Sequence, residues 1–395
     1  MLDGGDKMYL QCTKKMLDRM AKQNIELVPV DLCDDGADGF YSWHINYITI
    51  NRRKAIVCMN NLTRYPIVLY RPKPKDIAQL EKTIKEAIRT AFRQEGVQED
   101  VIEEYLCNCG NAMYSKTAGS SLVAYLNKIC ERINYYPEIF DEKPTIQSRL
   151  SFALSKEISK YDKEYKMPSE KLLQELCRMK GLPEKEWRQL IQMDYYQLLV
   201  RMVLEGHNIW CRIQIPSVFS FKQLHDVIQI VFDWFDCHLH EFLVPDGNYE
   251  IKGLDEFEIF ELPIKTRIVD SNNFDFGDLD LVDYKEVYDY GIRISEVFEH
   301  TNRCYYIYDF GDCWIHEIIW EKTIHNCHDI HPILLDKEGS RPPENVGGEG
   351  GYEEYLRVIS DPQSPDYEFM IKWSEITKAD DETVEEINRR LKYFY

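Results

Sequence analysis

Nine of the ten histidines lie beyond residue 200, and several stand near carboxylates at spacings that suit a metal. His238 and His240 are two residues apart, so on a strand both imidazoles point to one face. His316, Asp309 and Asp312 belong to a later pair of strands. Brought beside the first strand, these five residues make a nitrogen and oxygen ligand set for a divalent transition metal such as zinc. Asp309, Asp312 or Glu344 would then serve as ligand or general base, and the metal would lower the pKa of a bound water, which is the chemistry of a metal-dependent, nuclease-like hydrolase. The competing reading is a hydrogen-bonded aromatic core of Trp234, His240, Trp314 and His316, with Asp309 and Asp312 capping the turn beside Gly311. A second group, His325, Cys327, His328 and His331, fits no closed zinc spacing and reads as a polar loop.

A different chemistry is written between Gly39 and Lys75, where Arg52, Arg53, Lys54, Arg64, Arg71, Lys73 and Lys75 occur with no acidic residue. Tyr41, Trp43, Tyr47, Tyr65 and Tyr70 are interleaved among them. A basic sheet bearing aromatics holds nucleic acid by phosphate contacts and base stacking, which makes Arg52, Arg53, Lys54 and Arg64 the candidate nucleic-acid contacts. The plainer account is a solvated hairpin tip above buried aromatics. Gly347 to Gly351 has no Lys-Ser/Thr after it, and Glu344 and Glu349 would repel phosphate, so it reads as a loop that needs positive φ. No Gly-x-Ser-x-Gly elbow supports acyl transfer.

The elements that must position these residues follow from periodicity. A helix through Met16 to Met20 precedes a polar turn from Asp31 to Asp38. Strands at 47–50, 55–59 and 65–70 form an antiparallel meander, followed by a helix over 76–94 with Ile77, Leu80, Ile84, Ile88 and Phe92 on one stripe. Residues 198–204 and 209–215 form a hairpin. Ser220, with Gln223 three residues later, caps a helix whose stripe is Leu224, Val227, Ile228, Val231 and Phe235. Strands at 238–244, 304–308 and 313–320 come next, then helices near 352–360 and 380–392. The acidic stretch from Glu250 to Glu299 has no clear period.

The 395 residues favour two domains. The reading is α+β throughout: an N-terminal α+β domain over 8–143, a helical connector over 144–193 and a C-terminal α+β domain over 194–395, with antiparallel or mixed sheets. Up to residue 195 there are 30 Lys and Arg against 28 Asp and Glu, and beyond it 18 against 40. The C-terminal half should therefore be repelled by phosphates and suits a protein partner, while the N-terminal half leaves room for a basic face. The cysteines are scattered, with Cys107 and Cys109 the one tight pair, and no apolar run reaches the roughly 18–20 residues of a membrane span. Reduced thiols, a cytoplasmic location and no membrane contact are expected.

Three stretches resemble the plasmid pRiA4b ORF-3-like family: Leu224-His225 through Trp234, Asp236, His238, His240, Glu241 and Phe242; Tyr308 through His316, including Trp314; and Pro342-Pro343-Glu344-Asn345-Val346-Gly347-Gly348 with Gly351-Tyr352. The chain has Asn345 where the family usually has Asp, and Leu334 and Arg341 where it often has cysteines. Residues 8 to 135 are similar to an uncharacterised bacterial family with a Cys-Thr-Lys-Lys opening, matched at Cys12 to Lys15, Trp43-His44 and Asn51 to Lys54. The resemblance implies an α+β fold and carriage on plasmids or other mobile elements, and it supplies no reaction. The leading expectation is an accessory protein of such loci that binds nucleic acid through its N-terminal domain and a protein through its acidic one; the alternative is the metal-dependent hydrolase.

Overall fold

Short β-branched and aromatic runs separated by Asn- and Gly-bearing turns build the two large sheets of this protein. The computed structural model describes residues 8–21, 25–30, 39–136, 139–140, 144–161, 163–247, 259, 261–270, 285–379 and 382–392. The chain falls into two units, Met1–Gln192 and Met193–Tyr395. The turn expected at Asp31 to Asp38 and much of the acidic stretch from Glu250 to Glu299 lie outside the described residues.

In the first unit, β1 (Met8–Cys12), β2 (Ser42–Ile50), β3 (Arg53–Asn60), β4 (Pro66–Tyr70) and β5 (Ala112–Lys116) form a sheet ordered β4-β3-β2-β1-β5. The antiparallel meander β2–β3–β4 is present, and β1 joins it parallel to both β2 and β5. Helices α1 (Lys14–Met20), α2 (Pro74–Ala78), α3 (Leu80–Gln94), α4 (Glu99–Asn108), α5 (Ser120–Arg132), α6 (Ser148–Ser155) and α7 (Pro168–Met179) surround it, with a small hairpin of β6 (Ser159–Tyr161) and β7 (Glu164–Lys166). The single helix expected over 76–94 breaks at Gln79 into α2 and α3, where the backbone leaves helical geometry at φ −116°, ψ 43°.

Every residue of β4, and β3 from Ala55 onward, is buried. Consecutive buried residues mean that both faces of these strands are covered. Helix α5 lies against β2 and β3, and α3 and α6 against β4. Of the connector expected over 144–193, the part up to Gln192 belongs to this body: Gln147 donates its N–H to Val68 O at 2.9 Å and Tyr70 donates to Thr145 O at 2.7 Å.

The second unit is an eight-stranded sheet, ordered β12-β11-β10-β13-β14-β8-β9-β15. Its strands are β8 (Met193–Met202), β9 (Trp210–Pro216), β10 (His240–Pro245), β11 (Ile264–Val269), β12 (Lys285–Tyr288), β13 (Arg303–Tyr308), β14 (Trp314–Cys327) and β15 (Ile333–Glu338). Among the described residues of this sheet only the β11–β12 pairing is parallel, so the class is α+β. Helix α8 (Phe221–Phe232) is followed by α9 (Ile294–Phe298), α10 (Gly348–Ser360), α11 (Tyr367–Ser374) and α12 (Val384–Leu391).

The capping box at the start of α8 is formed: Ser220 Oγ accepts from Gln223 N–H and Gln223 returns the bond. The helix ends at Asp233 in the left-handed conformation, φ 61°. Phe235 therefore falls beyond the helix and is 49% exposed rather than part of its buried stripe. Leu224, Val227, Ile228 and Val231 do face the sheet, packing in one core with Phe242, Tyr306, Tyr308 and Ile318. The described cysteines are free thiols, and among the described residues no helix is long and apolar enough to cross a membrane.

Candidate functional site

Side chains alternate across a strand, so the helix-facing surface of the second sheet carries His240 and Phe242 from β10, Tyr306 and Tyr308 from β13, and Trp314 and His316 from β14. His240 pairs with Tyr308, and Tyr306 with His316. Helix α8 lays His225 over this surface, ring to ring with His240 at 3.6 Å and 11°. Nε2 of His240 lies 3.0 Å from Asp289 and Nδ1 lies 3.4 Å from Asp270, and all three residues are buried. Burial alone would lower the His240 pKa, but the bonds and charges of Asp270 and Asp289 outweigh it and hold it above the ordinary histidine value. Burial wins for His225 and pulls it down to about 4 despite Asp236. A neutral ring stacked on a charged one avoids repulsion between two imidazolium ions. Neutral His225 then donates from Nε2 to Asp236 at 2.9 Å and accepts at Nδ1 from the Tyr306 hydroxyl at 2.8 Å.

His316 is fully buried between Phe232, Trp234 and Tyr306, with Nδ1 3.1 Å from Trp314 O, and burial pulls its pKa down to about 4. His238 is in neither place. Strand β10 begins at His240, so strand alternation does not govern His238, and its ring turns toward Tyr308. Its Nε2 is 3.3 Å from Asp309 Oδ2 and 3.8 Å from Glu344 Oε2. The expected convergence of His238, His240 and His316 on one ion is thus corrected: they occupy separate surroundings, because the helix-facing positions of β10 and β14 are sealed under α8. Asp312 is also elsewhere, accepting from Gly347 N–H at 3.1 Å. Trp314 stacks on Trp234 in the core, and Tyr352 lies on α10 against His207.

What does assemble is Cys237, His238 and Glu344, whose ligand atoms lie within 4.8 Å of one another. Glu344 is completely buried. Its Oε1 accepts from Phe235 N–H at 2.8 Å and from the Tyr308 hydroxyl at 3.3 Å. The Tyr308 oxygen in turn accepts from Cys237 N–H at 3.1 Å. Non-glycine residues with left-handed backbone ring this place: Asp236 (φ 51°), Asp309 (φ 58°) and Asn345 (φ 58°). Asp309 holds its own turn by accepting from Gly311 N–H at 2.8 Å. Gly347, at φ 95°, does occupy the positive-φ position expected of its loop. Cys237 was not singled out in the sequence, although it adjoins His238; nor were Asp270 and Asp289, which fall in the stretch without a clear period. His325, at the end of a strand longer than expected, sits 3.0 Å from Asp194, and His331 bonds Asp329 at 2.7 Å.

In the first unit, Arg52, Arg53 and Lys54 are exposed at the β2–β3 turn, where Asn51 and Arg52 both have positive φ. Trp43, Tyr65 and Tyr70 are buried, and Trp43 Nε1 and the Tyr65 hydroxyl bond Tyr105 and Glu95. The expectation of an aromatic-bearing open sheet is therefore corrected, because helices cover it. Arg64 sets its guanidinium over the Tyr125 ring of α5 at 5.0 Å. It lines a groove of about 270 Å³ with Lys128, Arg132, Lys160, Tyr125 and Tyr165.

This architecture defines a two-unit α+β protein with a histidine and carboxylate centre on the C-terminal sheet. Residues 194–386 match the model of the plasmid pRiA4b ORF-3-like proteins, and residues 9–171 match a domain of unknown function, DUF6933. The chain is 30% identical over 162 residues to the uncharacterized protein y4hQ of Sinorhizobium fredii (strain NBRC 101917 / NGR234), an alignment covering 41% of this chain and 71% of that one. A solved protein of unknown function, MM3350 from Methanosarcina mazei Go1, is 28% identical with a TM-score of 0.38, over 48% of this chain and 96% of that one. The chain belongs to the plasmid pRiA4b ORF-3-like family. Its three family-resembling stretches contribute, in turn, Cys237 and His238, Tyr308 and Asp309, and Glu344 to one place in the fold.

Proposed function

We propose that this protein is an accessory factor of mobile or variable genetic loci that binds nucleic acid through its first unit. The observation that carries the reading is the groove around Arg64. Among the described residues lining it none is acidic, and four are cations: Arg64, Lys128, Arg132 and Lys160. Lys128 Nζ lies 5.4 Å from the Tyr125 ring centre and Lys160 Nζ 6.0 Å from that of Tyr165, which is 68% exposed. Cations set beside an accessible aromatic ring suit a phosphate backbone and one stacked base. Arg132 is already paired with Glu157, which reduces its share of the field. Arg52, Arg53 and Lys54 add a second basic surface. The acidic second unit repels phosphates and suits a protein partner, with Phe369 and Ile376 exposed on and just after α11.

Fluorescence anisotropy with labelled single- and double-stranded oligonucleotides across a salt series tests this. Binding should weaken with salt, and K128E/K160E should lower the logarithmic salt slope by about 0.7 to 0.9 for each phosphate that the variant no longer neutralises. The triple change of Arg52, Arg53 and Lys54 to Glu should act in the same direction. Binding that neither variant alters, or none at low salt, would remove the reading. The hydrolase alternative rests on Cys237, His238 and Glu344, and would appear as metal-stimulated cleavage of a phosphodiester that E344Q abolishes.

A further inference from the structure

Three groups of ligand-type side chains occur among the described residues, and two of them are accounted for by protein contacts alone. In one, His225 is held by Asp236 and Tyr306. In another, His240 Nε2 bonds Asp289 at 3.0 Å and its Nδ1, which makes no hydrogen bond, stands 3.4 Å from Asp270, so that two carboxylates flank one ring on opposite sides, an arrangement that suits an imidazolium rather than an ion shared on one side. The group of Cys237, His238 and Glu344 has no such account. Glu344 is wholly buried, and its Oε2 makes no hydrogen bond. The atom it faces at 3.8 Å, Nε2 of His238, makes none either. Asp309 Oδ2 approaches the same nitrogen at 3.3 Å.

These separations are long for hydrogen bonds, which close to about 2.7–3.2 Å. Donors about 2.0–2.2 Å from a tetrahedral zinc ion stand about 3.3–3.6 Å apart, so the 3.8 Å between His238 Nε2 and Glu344 Oε2 is slightly longer than an edge of that polyhedron and closes to it with a small side-chain shift. We propose that Cys237, His238 and Glu344 form a binding site for a divalent transition metal of the zinc class, with Asp309 beside the His238 ring. A mixed sulfur, nitrogen and oxygen set selects zinc or cobalt over magnesium or calcium. Tyr308 is the positioning residue, its hydroxyl linking the Cys237 backbone to the far oxygen of Glu344. Cys237 is exposed, which gives the ion a path from solvent. The site is independent of nucleic-acid binding, since none of its residues lies in the first unit.

The test uses the full chain without a histidine tag. Calorimetry with zinc and absorption spectroscopy with cobalt should show one ion per chain and a sulfur-to-cobalt charge-transfer band. H238A and E344Q, which change ligands themselves, should each weaken binding by at least the about tenfold that loss of an outer-shell partner costs. C237S, a mild change at an exposed position, should remove the charge-transfer band while the fold persists by circular dichroism. His325→Ala should bind as the unaltered chain does. Absence of stoichiometric binding by the unaltered chain overturns the proposal. Binding that survives both H238A and E344Q, or a band that survives C237S, overturns it equally by placing the ion elsewhere.

Discussion

His238 and His240 are two residues apart, and their physical situations are opposite. His240 lies under a helix with a carboxylate on either ring nitrogen and a second imidazole stacked on its face. His238 lies just before the strand, at the edge of the same layer, with Nε2 turned toward a buried carboxylate oxygen at a distance too long for a hydrogen bond. The contrast separates two uses of a buried polar group. Where two carboxylates close around one ring, the ion pair holds the fold; where a wholly buried carboxylate oxygen has no donor, the gap beside it suits a ligand.

The sharpest way to break this comparison is to remove the Asp289 carboxylate. Asp289→Ala leaves a buried imidazolium with one partner, and urea unfolding should show a loss of about 3–5 kcal/mol. A loss below about 1 kcal/mol would show that the deep pair is not an ion pair at all.

Acid should reveal the next effect. His225 and His316 have folded pKa values lowered to about 4, so the stability they confer is present above the unfolded value of about 6.5 and is lost as pH falls toward 4. Each contributes roughly 3 kcal/mol to that loss. His316→Leu should flatten the slope of unfolding free energy between these limits, and an unchanged slope would refute the assignment. His240 behaves in the opposite sense. Its raised value makes its contribution complete below about pH 6.5 and removes it as pH rises through the folded pKa.

Smaller effects belong to the rim. Tyr308→Phe removes the hydroxyl shared by Glu344 and Cys237 and should cost about 1–3 kcal/mol in urea unfolding. Asp309→Asn keeps the acceptor for Gly311 N–H and tolerates the left-handed backbone, so its stability change should stay within about 0.5 kcal/mol. A large loss there would move Asp309 from the rim centre into the structural core.

Local patterns were legible without coordinates. The meander of β2, β3 and β4, the hairpin of β8 and β9, and the Ser220 cap with its buried stripe all depend on neighbours a few residues apart, which spacing specifies. Family membership was legible too, because its motifs are contiguous.

Tertiary structure alone decided which chemistry-bearing groups meet. Strand β10 starts at His240 rather than two residues earlier, and that boundary sends His238 to Glu344, more than a hundred residues away, and His240 to Asp289. Arg64 joins Lys128 and Lys160 only because a helix and a small hairpin fold beside it. The aromatics near the basic run were sealed by helices whose own sequence says nothing of what they cover. Period reports the face on which a side chain stands; sheet order and the layer packed above determine whether that face meets water, a partner or an ion.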